Sequence, residues 1–305
     1  MFNWFKKEET AGLFRTFIRS RKIGKGRRRL YERVGQILSD YEALSGKHFS
    51  SMSAEDLDNL YRMVVNGKSR NYACSIFKAL RTFFSWCEKK GTVRKSPFAD
   101  YRIPAELYGS PVYLSKDDIC RIMDTDLSAY PSLEVQRDIF IFQCNVGCRV
   151  SDMMRLKKSD VIKGILEYIP QKTIRTQGTT VKVPLNMNAR SIVSRYSGTE
   201  GDSLLPFISS RNYNVAIKRI LTLAGVDYLV TRLDSVSGKE IKVNINRIAS
   251  SHLARRTFVG NIYRCVKDPS LVSSMTGHSE GSRAFRRYRE IDMDMKREMV
   301  GLLDI

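Results

Sequence analysis

The stretch 251–288 gathers side chains suited to work on a phosphodiester. It opens Ser251-His252-Leu253-Ala254-Arg255-Arg256-Thr257-Phe258, continues through Gly277-His278-Ser279 and ends Phe285-Arg286-Arg287-Tyr288. Two of the chain's three histidines lie here. Breaking a phosphodiester needs cations around its non-bridging oxygens, a nucleophile in line, and groups that give and take protons. His252, Arg255, His278 and Tyr288 supply those types. Taken singly, each also has a plainer reading as a capping or core histidine, a solvated arginine, or a tyrosine packed on a helix.

The charge of the whole chain points the same way. Its 305 residues carry a formal net charge of +20, with a pI near 9.8. A polyanionic partner is the default explanation, with nucleic acid ahead of an anionic membrane surface. The excess is spread: residues 1–100 hold 21 basic and 10 acidic side chains, and the remainder is also basic. Both parts therefore look able to touch the polyanion, and the basic residues keep to no single amphipathic face. Six cysteines form no C-x-x-C pair and have no histidine at metal-ligand spacing, so they read as free thiols in a reducing cytosol. No apolar run reaches membrane-spanning length and no signal peptide opens the chain, which predicts a cytoplasmic protein without membrane partners.

The elements that must position these side chains begin with a short amphipathic helix over 10–20, bearing Leu13, Phe14, Phe17 and Ile18. A basic run, 21–29, follows and includes Arg27, Arg28 and Arg29, candidates for phosphate contact. Leu30, Val34, Ile37, Leu38, Tyr41 and Leu44 keep the spacing of a helix. Ser53 and Ser69 read as caps of two more helices, which Gly67 and Gly91 end. Lys68, Arg70, Lys78 and Arg81 fall on polar positions of this unit and are further DNA-contact candidates. The Pro- and Gly-broken stretch 96–111 reads as a linker.

A second unit opens at Ser115-Lys116-Asp117-Asp118, a capping-type start. Residues 133–146 suit a buried helix that Gly147 ends, with Arg149 at the start of the next. Alternating runs at 165–169 and 180–183 around Gln177-Gly178 read as a hairpin, with Lys172 on or beside it. Helices are expected over 188–196 and 211–224, a second hairpin pairs 229–233 with 241–245, and helix returns from Ile248.

With these elements laid out, the sequence resembles the tyrosine recombinases, the phage integrase family. Val146-Gly147-Cys148-Arg149-Val150-Ser151-Asp152 looks like their first arginine box, T-G-x-R-x-x-E, and Lys172 sits where their hairpin lysine falls. His252 and Arg255 match the H-x-x-R box, Gly277-His278 the G-H box, and Tyr288 falls at the nucleophile. Val146 stands where Thr is usual and Asp152 where Glu is usual. Tyr288 follows His278 by ten residues, one more than the commonest spacing, and no later tyrosine exists.

The resemblance implies a mainly α fold with small β hairpins. It divides the chain into an N-terminal helix and basic segment (1–24), a helical, SAM-like core-binding domain (25–103) and an α/β catalytic domain (112–305). It implies that Arg149 and Arg255 clamp the phosphate, Tyr288 attacks phosphorus, Lys172 protonates the leaving 5′-hydroxyl, and His252 and His278 move protons or hold the phosphate. Arg256 and Arg287 would touch the DNA backbone. No metal or cofactor is implied. The expected partners are double-stranded DNA at specific sites, three further copies of the chain in a tetramer on two sites, and accessory DNA-bending proteins. The final segment would dock on a neighbouring copy.

The task would be integration, excision or inversion for a bacterial mobile element. Too few residues precede Arg21 for a separate arm-binding domain, which favours action on core sites. Two alternatives stay open at this point: a type IB-like topoisomerase, and a catalytically idle DNA-binding regulator on the same fold.

Overall fold

In a computed structural model, residues 10–172, 174, 178–266, 268–277 and 300–301 are described. The chain divides into two compact units, Met1–Tyr108 with Leu233–Glu240, and Gly109–Arg232 with Ile241–Ile305.

The first unit is built on four helices: α1 (Thr10–Arg19), α2 (Lys25–Ser45), α3 (Ala54–Val65) and α4 (Arg70–Lys89). Each buries one stripe. On α1 it is Leu13, Phe14, Phe17 and Ile18, and the Phe14 ring stacks on Phe83 of α4 with centroids 3.8 Å apart. The described part of the expected segment 1–24 packs into this core through α1. Gly35 lets α1 approach α2, because a Cβ there would lie 3.0 Å from the Phe14 ring. Ser53 caps α3 in a full capping box with Asp56, and Ser69 caps α4.

The stretch expected as a linker packs over part of its length. Phe98 and Tyr101 enter the core of this unit. Asn71 of α4 also grips both backbone groups of Leu107. It accepts the Leu107 N–H at 2.7 Å and donates to the Leu107 carbonyl at 2.6 Å.

From Gly109 the chain follows the order α5 (Lys116–Asp124), α6 (Pro131–Val146), α7 (Val150–Met153), β1 (Val161–Ile162), β2 (Ile165–Tyr168), β3 (Val181–Pro184), α8 (Met187–Arg195), α9 (Ser210–Leu223), β4 (Leu229–Leu233), β5 (Glu240–Asn244), α10 (Ile245–Ile248), α11 (Ser251–Val266) and α12 (Pro269–Thr276). Strands β1, β2 and β3 form an antiparallel sheet with Leu166 opposite Val183, and β4 pairs with β5. Helix α6 is buried nearly all round, as its continuous apolar run requires, and α8, α9 and α11 cover it. Its one buried carboxylate, Asp138, takes Arg195 at 2.6 Å and the Tyr196 hydroxyl at 2.9 Å on Oδ2, and Arg137 at 3.4 Å on Oδ1. Leu114 is buried ahead of α5, where its N–H donates to Thr257 Oγ1 of α11 at 3.0 Å.

Among the described residues no helix is long and apolar enough to cross a membrane.

Candidate active site

The site is organised by the end of α6. Gly147 takes a left-handed φ of 65° there, and its N–H closes on the Gln143 carbonyl. A Cβ at Gly147 would stand 2.2 Å from the Phe258 ring of α11, so no other residue fits without moving that ring. This turn hands Arg149 to the N-cap position of α7. The thiol of Cys148, buried between them, is pushed up to about 12 by its burial, with Asp152 adding and Arg255 opposing.

Arg255 sits on α11, facing inward, 2% exposed. Its Nη1 donates to the Gly147 carbonyl at 2.7 Å and its Nη2 to the Thr276 carbonyl at 2.8 Å. Bonds from a charged donor to buried carbonyls each contribute about 1.5–3 kcal/mol. Arg149 is more open, its side chain 24% exposed, and its Nη2 points at the Gly277 carbonyl at 3.5 Å. The two arginines thus meet successive carbonyls at the end of α12. Gly277 has φ 61°, and a Cβ there would press on Pro170 and Val181 at 3.2 Å.

Asp152, 1% exposed, ties a third element to this pair. Its Oδ1 accepts the Gln171 N–H at 2.8 Å and the Arg155 Nη2 at 3.2 Å, while Oδ2 faces Arg149 Nη1 at 3.9 Å. Lys172 is the next residue, exposed, in the connection between β2 and β3. The shorter carboxylate at this position thus holds Gln171 and Arg155 through Oδ1, while its buried Oδ2 makes no hydrogen bond. Tyr168, at the end of β2, is pushed up by burial, with Cys148 and Asp152 adding and the two arginines opposing.

The structure brings Arg149 and Arg255 together at the end of α12, and Asp152 ties the Lys172 connection to the Arg149 side. His252 lies exposed on the first turn of α11, one turn before Arg255. His278, Tyr288 and Arg287 lie outside the described residues. The sequence reading missed the acceptor roles of the Thr276 and Gly277 carbonyls and the part played by Arg155. No side-chain signal marks a backbone carbonyl, whereas Arg155, three residues after Asp152, could have been found as a helix-spaced pair.

The DNA-contact candidates fare differently from one another. Arg27, Arg28 and Arg29 are exposed on the first turns of α2, whose N-cap, Gly24, makes no side-chain cap bond. Lys68 is exposed just before Ser69, and Arg70 is half-buried with its Nε unpartnered. Lys78 pairs with Glu106 at 2.6 Å, and Arg81 lies over the Phe98 ring while reaching the Tyr101 carbonyl at 3.5 Å. Arg256 is half-buried on α11.

Comparison with known proteins accords with this geometry. The phage integrase family matches residues 112–295, more than half of the chain. A tyrosine recombinase XerC from Neisseria gonorrhoeae is 24% identical over 224 residues, 71% of this chain and 67% of its own. A second XerC, from Bacillus licheniformis, is 22% identical over 76% of this chain and 74% of its own. Among solved structures, the Tn1549 transposon integrase in complex with transposon right end DNA superposes with a TM-score of 0.71. It has 17% identity and covers 98% of this chain and 100% of that one. A lambda integrase tetramer bound to a Holliday junction gives a TM-score of 0.65 at 15% identity, over 90% of this chain and 74% of that one. The chain belongs to the phage integrase family, the tyrosine recombinases.

Proposed function

We propose that this chain is a site-specific DNA recombinase that cuts and rejoins strands through a 3′-phosphotyrosyl intermediate on Tyr288. The observation that carries it is the convergence of Arg149 and Arg255 on the carbonyls of Gly277 and Thr276, directly before His278, with Asp152 tying the Lys172 connection to the same place. Negative charge builds on the non-bridging oxygens as the phenolic oxygen of Tyr288 bonds to phosphorus. Two guanidinium groups offer forked donors for that charge. The bond from phosphorus to the 5′-oxygen breaks, and Lys172 gives that oxygen its proton. His252 and His278 take the phenol's proton or hold the phosphate. The phosphotyrosine keeps the bond energy, so a 5′-hydroxyl from another strand reverses the step and joins it.

Double-stranded DNA is the substrate, and the charge of +20 supports it. Arg27, Arg28 and Arg29 add to that support. Cations at a helix N-terminus oppose its dipole, a cost that phosphate contact would offset. The active form is a tetramer on two sites, serving a mobile element, as the transposon and phage integrases among its structural neighbours suggest.

A nicked duplex taken from inverted repeats flanking the gene tests the chemistry. Wild-type protein should become covalently joined to it, and Tyr288→Phe should not. An adduct formed equally by both proteins sinks the assignment. Relaxation of plasmids that lack any such repeat would point to a topoisomerase instead. Removal of residues 291–305 should leave single-site binding intact and abolish assembly on two sites.

A further inference from the structure

The turn that carries Arg149 is held from behind by buried polar groups leading away from the reacting face. Gln143, on α6, has no exposure, and it meets the turn twice. Its backbone carbonyl accepts the Gly147 N–H at 2.9 Å, and its Nε2 donates to the Cys148 carbonyl at 3.0 Å. Its Oε1 accepts the hydroxyl of Tyr213, on α9 and 1% exposed, at 3.0 Å. The Gly147 carbonyl in turn takes Arg255.

A glutamine is an odd choice for this place. Its neighbours on α6 are Ile139, Phe140, Ile141 and Phe142, and an apolar side chain would serve the core without any polar group to satisfy. What an apolar residue cannot do is fix a peptide plane. The Cys148 carbonyl belongs to the peptide that ends in the Arg149 nitrogen, so holding it fixes where the Arg149 side chain leaves the backbone. The Cys148 carbonyl can only accept, so it requires the NH2 end of the Gln143 amide, and the Tyr213 hydroxyl, donating to the amide oxygen on the other side, holds the amide in that orientation.

Resting on the recombinase assignment above, we propose that Gln143, oriented by Tyr213, is a positioning residue for Arg149, acting through the Cys148 peptide. The test uses single-turnover adduct formation by the full chain on the nicked duplex, run beside an identical duplex with a methylphosphonate at the scissile position. The methylphosphonate removes the charge that Arg149 is placed to meet. A misplaced arginine therefore harms the phosphodiester reaction far more than the neutral one.

Gln143→Met, matched in length but unable to donate, should slow the phosphodiester reaction by about tenfold or more, the scale of a small misplacement at a reacting centre. Its DNA affinity should be unchanged, and its defect on the methylphosphonate should be much smaller. Tyr213→Phe, which deletes one oxygen, should show the same pattern more weakly, and it stands in if Gln143→Met fails to fold. Full rates in both variants, or equal slowing on both substrates, overturn the proposal. Failure of the recombinase assignment itself looks different, because the wild-type protein then forms no adduct on either duplex.

Discussion

Arg255 Nη1 donates to the carbonyl of Gly147 at 2.7 Å, joining α11 to the end of α6 across 108 residues of chain. The same guanidinium holds Thr276, so one side chain fixes three elements before any phosphate arrives. Arg255→Lys keeps the charge but cannot span both carbonyls. Leaving one buried carbonyl without its donor should cost about 1–3 kcal/mol. In a unit of this size that appears as a fall of several degrees in Tm, about 2–4 °C per kcal/mol. Covalent adduct formation should drop by about a hundredfold, while a gel shift shows DNA affinity little changed. A variant with wild-type Tm and wild-type adduct rate would contradict this.

Gly147→Ala tests the turn from the other side. Alanine meets both the positive φ and the Phe258 ring, so overpacking of about 1–3 kcal/mol adds to the left-handed penalty. Gly225, also at positive φ but with open space where a Cβ would go, supplies the comparison. Gly225→Ala should lose only the conformational part. Denaturant midpoints should therefore separate the two variants clearly, with the position-147 variant the less stable.

Asp152 orders the connection bearing Lys172 by accepting the Gln171 N–H. Asp152→Ala should raise hydrogen exchange at the Gln171 amide and slow cleavage, whereas Asp152→Asn, which keeps an oxygen acceptor, should do less. If exchange at Gln171 matches wild type in Asp152→Ala, the tether is not what holds the connection.

In the first unit, burial pushes the Asp56 carboxyl up, but hydrogen bonds from Lys47 and from Ser53 outweigh it and hold it below its ordinary 3.8. A carboxylate lowered on folding stabilises above its unfolded value, and that contribution fades as pH falls through the lowered folded value. Acid unfolding should therefore steepen below pH 3.8 in the wild type. Asp56→Asn should be less stable at neutral pH, by about 1 kcal/mol for a damaged cap, and flatter in the acid range. Parallel acid profiles for the two proteins would refute the linkage.

Much of the helical framework was legible in the sequence because its punctuation is local. Ser53 and Ser115 each carry a carboxylate three residues on and cap a helix as expected, and Gly147 ends α6 as its place after the apolar run implies. What escaped was long-range or featureless. Strand β1 has two residues, too few for any period to show. The grip of Asn71 on Leu107 joins a helix to an irregular stretch, and Gln143 is hidden inside an apolar run whose pattern says only that the helix is buried. Lys78 and Arg81 fall on polar positions as expected and are exposed, but nothing in the sequence signals Glu106 and the Phe98 ring, which that irregular stretch brings against them.

The two glycines and the inner arginine have a consequence for descent. Gly147, Gly277 and Arg255 are each required by packing or by carbonyls they satisfy, whatever becomes of the chemistry. Arg149, Lys172 and His252 carry a lighter structural duty. In copies of this gene that have lost their enzymatic task, the glycines and Arg255 should persist while those three drift. A scan that scores motif glycines would count such relics as active, and the partly exposed side chains are the ones that tell a living recombinase from its fossil.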